Sequence, residues 1–266
     1  MAIKLFVTDL DGTLLPTGTK VSEKNIKAVQ DAVKAGITVT IATGRMYKAS
    51  LPVAETLGVN VPIITYNGAL IKSVGGEILH SVFLEPRMIE EIVDFFEKRN
   101  WYLQSYSCDN LIYPEYNAYA EHYEGAQKLK GRAVGWDGLR THTDEVAKML
   151  SITNGVEETR LRIEEIRKAF EGRLEAVSSN PRYCEMVVPG VSKAAAIKHL
   201  ADRMGIKQAE IMAIGDSNND LEMLKAAGKS IAMGNAIPEV KEACDYVTGT
   251  CEEDGFAEAI YRYALK

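Results

Sequence analysis

Two short apolar runs near opposite ends of this chain each stop on a cluster of carboxylates. Ile3-Lys4-Leu5-Phe6-Val7-Thr8 leads into Asp9-Leu10-Asp11-Gly12-Thr13, and Ile211-Met212-Ala213-Ile214-Gly215 leads into Asp216-Ser217-Asn218-Asn219-Asp220. Runs of this length and residue type read as buried strands, and Gly12 lets the chain turn after the first. Burying an unpaired charge is costly, so carboxylates in such places call for a compensating cation. Mg²⁺ favours one or two protein carboxylates together with phosphate oxygens. A lone Asp-x-Asp says little, but two strand-end clusters point to a fold that assembles them into one metal site.

The surrounding pattern constrains that fold. Ser22 is placed to cap a helix with Ile26, Val29 and Val33 on one face, ending near Gly36. A buried strand then covers Ile37 to Ala42 and runs into Thr43-Gly44-Arg45; a helix from about Met46 ends near Gly58; a short strand from Pro62 to Tyr66 leads to Asn67-Gly68. Gly75-Gly76 between two apolar pairs marks a hairpin. The last third repeats the alternation, with helices over about Ser192 to Met204, Asn219 to Ala226 and Glu253 to Leu265, and strands at Ile211 to Ile214 and Ser230 to Ala232. Repeated β-α order predicts an α/β fold, a Rossmann-like parallel sheet covered by helices on both faces. In such sheets ligands bind outside the carboxyl ends of the strands. Four polar clusters fall there: Asp9 to Thr13, Thr43 to Arg45, Asn67-Gly68 and Asp216 to Asp220.

The middle of the chain reads differently. A helix from Pro86 to Lys98 is followed by crowded aromatics (Trp101, Tyr102, Tyr106, Tyr113, Tyr116, Tyr119 and Tyr123), then by strand-like, helical and again strand-like segments, the last of them Cys184 to Val188. This is an α+β domain inserted into the α/β one, expected at residues 84–183 and leaving 1–83 and 184–266 as the core. A length of 266 residues accommodates two cores.

Composition narrows the function classes. A net charge of −6 argues against a general nucleic-acid binder. There is no apolar run long enough to span a bilayer and no signal-peptide pattern at the start. Cys108, Cys184, Cys244 and Cys251 lack C-x-x-C spacing, which suits reduced thiols and a cytoplasmic location. His80, His122, His142 and His199 show no ligand spacing, and Met186, Met204, Met212 and Met233 read as core filler.

The clusters suggest chemistry. Asp9 is the candidate nucleophile, since a carboxylate that accepts a phosphoryl group divides one hard step into two easier ones. Asp11 is the candidate general acid and base. Asp216 would complete the cation's ligands, and Asp220, one turn further, either orients them or serves as an ordinary helix N-terminal carboxylate. Thr43 offers a hydroxyl, Gly44 a backbone N–H and Asn219 an amide for phosphate oxygens. Lys193 opens a helix, where its charge opposes the dipole, so another role is expected for it. Arg45 is open between touching substrate and pairing with an acid, and Asn67 joins the candidates by position.

These motifs, in this order, resemble the haloacid dehalogenase (HAD) superfamily, and within it the Cof-like, type IIB sugar-phosphatase branch. Ile64-Thr65-Tyr66-Asn67-Gly68-Ala69, Met233-Gly234-Asn235-Ala236 and Glu253-Asp254-Gly255 are similar to that branch as well. The resemblance implies a Mg²⁺-dependent phosphatase of small phosphorylated metabolites, a monomer or weak dimer, with the inserted domain as a substrate-selecting cap. It implies Asp9 as nucleophile and ligand, Asp11 as acid/base and ligand through its carbonyl, and Asp216 as the third ligand, supported by Asp220. It assigns the phosphoryl group to Thr43, Gly44, Lys193, Asn219 and the Leu10 backbone. Lys193-Ala194 departs from the Lys-Gly of many relatives. An acid at position 11 favours a phosphatase or mutase over the transport ATPases, whose corresponding residue resembles threonine. A phosphomutase and a phospho-ligand sensor without turnover are the competing readings.

Overall fold

The run Leu5–Thr8 is buried at every position, as a parallel strand covered on both faces must be. It forms β1 of a computed structural model that describes residues 2–16, 20–59 and 61–265. Met1 and Lys266, the expected ends of the core segments, lie outside the described residues. The chain continues through α1 (Glu23–Lys34), β2 (Thr38–Ile41), α2 (Tyr47–Leu57), β3 (Ile63–Thr65), β4 (Leu70–Lys72) and β5 (Ile78–Ser81). There follow α3 (Pro86–Glu97), β6 (Gln104–Ser107), β7 (Asn110–Tyr113), α4 (Ala118–Gln127), β8 (Arg132–Ala133), α5 (Gly135–Thr141), β9 (Met149–Ile152), α6 (Val156–Ala169), β10 (Glu175–Asn180) and β11 (Tyr183–Val187). The last elements are α7 (Lys193–Met204), β12 (Ile211–Gly215), α8 (Leu221–Ala226), β13 (Lys229–Ala232), α9 (Pro238–Ala243), β14 (Tyr246–Val247) and α10 (Gly255–Ala259). Two compact units result, Met1–His80 with Ser192–Lys266, and Ser81–Val191. No helix among the described residues is long and apolar enough to cross a membrane.

The first unit holds a five-stranded parallel sheet in the order β14-β13-β12-β1-β2. A second, three-stranded sheet runs β3-β4-β5. The expected hairpin at Gly75-Gly76 joins β4 to β5, closed by Gly76 N–H donating to the Ser73 carbonyl at 2.9 Å. Ser22 caps α1, its Oγ accepting from Asn25 N at 3.1 Å. The buried face of α1 is Asn25, Ala28, Val29 and Ala32, whereas Val33 is 49% exposed. The expected stripe followed the large apolar residues, but small alanines are what lets this helix approach its neighbours. Asn25 Oδ1 accepts from Ala257 N and ties α1 to α10. Phe6 meets Phe256 edge to face, centroids 5.7 Å apart, which adds about 0.5–1.5 kcal/mol to the burial of both rings.

Two expected helices are interrupted. Asp254 adopts a left-handed φ of 59°, so the terminal segment is a tight turn at Cys251–Glu253, then α10, then a wide turn at Ile260–Ala264. A tight turn at Asn218–Asp220 likewise precedes α8. Met204, expected in the core, is 38% exposed because it is the last residue of α7.

The second unit is the mixed α+β pattern, a six-stranded sheet in the order β10-β11-β9-β6-β7-β8. Its core gathers Ile92, Phe96, Leu103, Met149, Ile166 and Met186; each such side chain, once buried, contributes about 1.5–3 kcal/mol. The expected boundary after Tyr183 cuts through β11, which pairs antiparallel with β9 and β10. Residues up to Val191 therefore go with this unit. A short apolar run fits either sheet, and only the pairing decides.

Candidate active site

β1 and β12 are neighbours in register, Thr8 opposite Ile214. The residues that follow, Asp9 on one strand and Gly215-Asp216 on the other, therefore leave the sheet side by side. Carboxylate oxygens of Asp9, Asp216 and Asp220 lie within 4.8 Å of one another. The two acidic clusters are thus brought together.

Lys193 supplies the local positive charge. Ser192 caps α7 by accepting from Ala195 N at 3.2 Å, and Lys193 is the first residue of the helix. Its Nζ donates to Asp9 Oδ1 and to Asp220 Oδ1, each at 2.6 Å, and its side chain is 1% exposed. An ammonium that opposes the helix dipole is held there by two carboxylates. Burial works against its charge, but Asp220 and Asp9 outweigh that and raise its pKa.

Asp220 is fully engaged. Its second oxygen, Oδ2, accepts from Asp216 N at 3.0 Å and Ser217 N at 3.1 Å. Asp220 thereby fixes both Lys193 and the turn that presents Asp216, which suits orientation of ligands better than ligation. Asp216 Oδ1 accepts from Thr13 Oγ1 at 2.9 Å. Burial raises the Asp9 pKa well above the usual carboxylate value; Lys193 offsets part of this, while Asp220, Asp11 and Asp216 add to it. Burial, followed by the Asp220 charge, pushes Asp216 up to about 6. Three carboxylates share one ammonium, so the site is short of positive charge, and its donors are all oxygen. That donor set fits a hard divalent cation.

Asp11 stands apart from the triad. Its side chain is 58% exposed, and the buried Arg45 guanidinium holds it, Nε donating to Oδ2 at 2.8 Å and a terminal nitrogen to Oδ1 at 2.5 Å. Arg45 therefore pairs with an acid, one of its two expected roles. Thr43 is buried and its Oγ1 accepts from Arg45 N at 3.2 Å, leaving the hydroxyl hydrogen to donate elsewhere. Asn219 and Asn67 meet, Nδ2 to Oδ1 at 3.2 Å. Leu10 is buried within the β1 turn, its carbonyl accepting from Leu14 and Leu15 N–H.

A sequence profile of haloacid dehalogenase-like hydrolases matches residues 6–260. The chain belongs to the haloacid dehalogenase-like hydrolase family. It is 33% identical over 264 residues to a 5-amino-6-(5-phospho-D-ribitylamino)uracil phosphatase of Bacillus subtilis (strain 168), covering 99% of this chain and 96% of that one. A haloacid dehalogenase-like hydrolase from Bacteroides thetaiotaomicron superposes with a TM-score of 0.89 at 30% identity, covering 98% and 99% of the two chains. A HAD subclass IIB sugar phosphatase superposes with a TM-score of 0.84 at 25% identity, covering 99% and 100%. These similarities bear out the expected fold, the Cof-like type IIB branch and a hydrolase of the phosphatase kind.

Within this HAD-like hydrolase, some side chains at the site had no role assigned from sequence. Thr13 steadies Asp216. Ser217 Oγ donates to Asn219 Oδ1 at 2.7 Å. Asn235 donates to the Gly12 carbonyl at 2.8 Å and accepts from Cys251 N at 2.7 Å, so it fastens the turn after Asp11. Small polar residues beside glycines are the available signal for such fasteners, but their partners are remote in sequence.

Proposed function

We propose that this HAD-like hydrolase is a magnesium-dependent phosphomonoesterase of small phosphorylated metabolites, working through an aspartyl phosphate on Asp9. The observation that carries this reading is the buried Lys193 joined to both Asp9 and Asp220 beside Asp216. It holds a carboxylate ready for nucleophilic attack in a site that still calls for a cation.

In this mechanism Asp9 attacks phosphorus as the bond to the leaving oxygen breaks, and Asp11 gives that oxygen a proton. Asp11 then takes a proton from water, whose oxygen attacks the aspartyl phosphate, freeing inorganic phosphate and restoring Asp9. Thr43, Gly44, Asn219 and the Leu10 backbone N–H donate to the equatorial oxygens, and Lys193 balances their charge. Mg²⁺ held by Asp9, Asp216 and the Asp11 carbonyl would neutralise the phosphoryl charge. Substrate choice is assigned to the second unit, acting as a cap, and the enzyme to the cytoplasm as a monomer or weak dimer. The relatives' names support a polyhydroxylated leaving group: one names a phosphorylated ribityl chain and the other a sugar.

A phosphate-release screen over sugar phosphates, phosphorylated ribityl compounds, nucleotides, pyridoxal phosphate and flavin mononucleotide tests the proposal. Turnover of polyol or sugar phosphates with Mg²⁺, abolished in Asp9→Asn, is expected. Turnover that requires an added bisphosphate and releases no phosphate would make the protein a mutase instead.

A further inference from the structure

We infer that Asn67 is a positioning residue that holds the two phosphoryl-binding loops at a set spacing, an inference that rests on reading Thr43, Gly44 and Asn219 as phosphoryl donors. Tyr66, Asn67 and Gly68 have φ values of 54°, 55° and 107° in succession. Left-handed backbone is readily adopted by asparagine and glycine but is an outlier for a residue as bulky as Tyr66, and it persists where the surroundings impose it.

The surroundings here are the candidate phosphate loops. Tyr66 N–H donates to the Arg45 carbonyl and Asn67 N–H to the Thr43 carbonyl, each at 2.9 Å. These two bonds straddle Gly44. The Asn67 side chain lies against the same residue: a Cβ on Gly44 would come within 2.9 Å of Asn67 Oδ1 and 3.3 Å of its Nδ2. Only glycine fits there without moving the amide.

The same amide reaches the other loop. Asn67 Oδ1 accepts from Asn219 Nδ2 at 3.2 Å, and Asn219 Oδ1 accepts from Ser217 Oγ at 2.7 Å. With its oxygen and one amide hydrogen both assigned, Asn219 has its orientation defined, and its second N–H remains for an anion. One side chain, 8% exposed, thus sets the loop after β2 against the loop after β12. Fixing donors before the anion arrives is what makes them effective on a transferring phosphoryl group.

The test is the competitive inhibition constant of inorganic phosphate and of orthovanadate, read beside Tm. Asn67→Gly removes the amide and tolerates left-handed backbone. It is expected to fold with Tm close to wild type and to raise both inhibition constants roughly three- to tenfold, the loss typical of one hydrogen bond. Gly44→Ala supplies a second arm. Its added Cβ collides with the Asn67 amide, so it is expected to weaken phosphate binding in the wild type and to cost markedly less in the Asn67→Gly background. Unchanged inhibition constants in a folded Asn67→Gly protein, or equal costs of Gly44→Ala in both backgrounds, would overturn the inference. Asn219→Ala separates the two levels. If it weakens phosphate binding while Asn67→Gly does not, Asn67 alone is misassigned. If Asn219→Ala also changes nothing, the donor reading beneath the inference fails.

Discussion

Arg45 grips both carboxylate oxygens of Asp11, at 2.8 and 2.5 Å, from a position that is itself almost wholly buried. A buried guanidinium needs an opposite charge, and the planar fork gives this one a defined geometry. The candidate acid/base is therefore oriented by a residue of the same loop that carries Thr43 and Gly44.

Arg45→Lys keeps the charge and loses the fork. Turnover of alkyl phosphates is expected to drop by about tenfold, a part of the roughly 10²–10⁴-fold that general acid catalysis supplies, because Asp11 is kept but less well oriented. Turnover of an aryl phosphate, whose leaving group needs less protonation, is expected to drop much less. Equal losses on both substrates would assign Arg45 to packing alone. Asp11→Asn is expected to show the same leaving-group dependence more steeply, and Asp9→Asn to abolish turnover of every substrate while the protein stays folded.

The metal site has a pH dependence with a definite sign. Burial raises the Asp216 carboxyl from its ordinary 3.8 to about 6, so protons compete with the cation below that value. Through this one group the apparent Mg²⁺ affinity is expected to weaken as pH falls below about 6, approaching about tenfold per pH unit. In the metal-free protein the stability linked to this group is fully present below 3.8 and is lost as pH rises through about 6. The rise in Tm produced by Mg²⁺ over EDTA should accordingly be larger at pH 7 than at pH 5. A larger rise at pH 5, read by thermal scanning, would contradict the assignment of Asp216 as a ligand.

Gly68 fixes the approach of the lysine helix. A Cβ there would lie 2.2 Å from the Ser192 carbonyl oxygen, and φ is +107°. Gly68→Ala should cost about 1–3 kcal/mol from strain. It should also lower turnover, because Ser192 and Lys193 must shift together. Denaturant unfolding and steady-state kinetics on the same preparation check both effects, and a stable, fully active variant would show that α7 tolerates displacement.

In the second unit, Lys148 Nζ donates to Glu185 Oε1 at 2.7 Å, with both side chains 1–2% exposed. Removing one partner strands a buried charge, so Lys148→Met should cost about 3–5 kcal/mol. Replacing both, as Lys148→Met with Glu185→Leu, should recover much of that loss. Urea unfolding of the three variants tests the pair, and a double variant less stable than either single one would refute it. Two of the crowded aromatics of this unit are engaged internally as well. Trp101 packs edge-on against Phe95 and Phe96, and the buried Tyr113 donates its hydroxyl to Glu124 at 2.8 Å, so substitutions at both should register first as lost stability.

Local pattern in the sequence was enough for the β-α alternation, the polar clusters at strand ends and the two aspartate groups. Strand and helix periods, caps and turn residues act over a few positions, and a chain displays them without knowing its partners. The tertiary structure decided which of these local pieces meet. β1 lies beside β12 because of a pairing between segments about two hundred residues apart in the numbering, and that pairing alone makes one site of Asp9 and Asp216. Lys193 reaches Asp9 and Asp220, and Arg45 chooses Asp11, through side-chain packing that no spacing encodes. β11 joined the second unit's sheet, and Ala28 rather than Val33 faces the core, because hydrogen-bond registry and close approach are settled between elements. Non-local contacts are selected by the free energy of the whole packed arrangement, which a linear reading of residues does not contain.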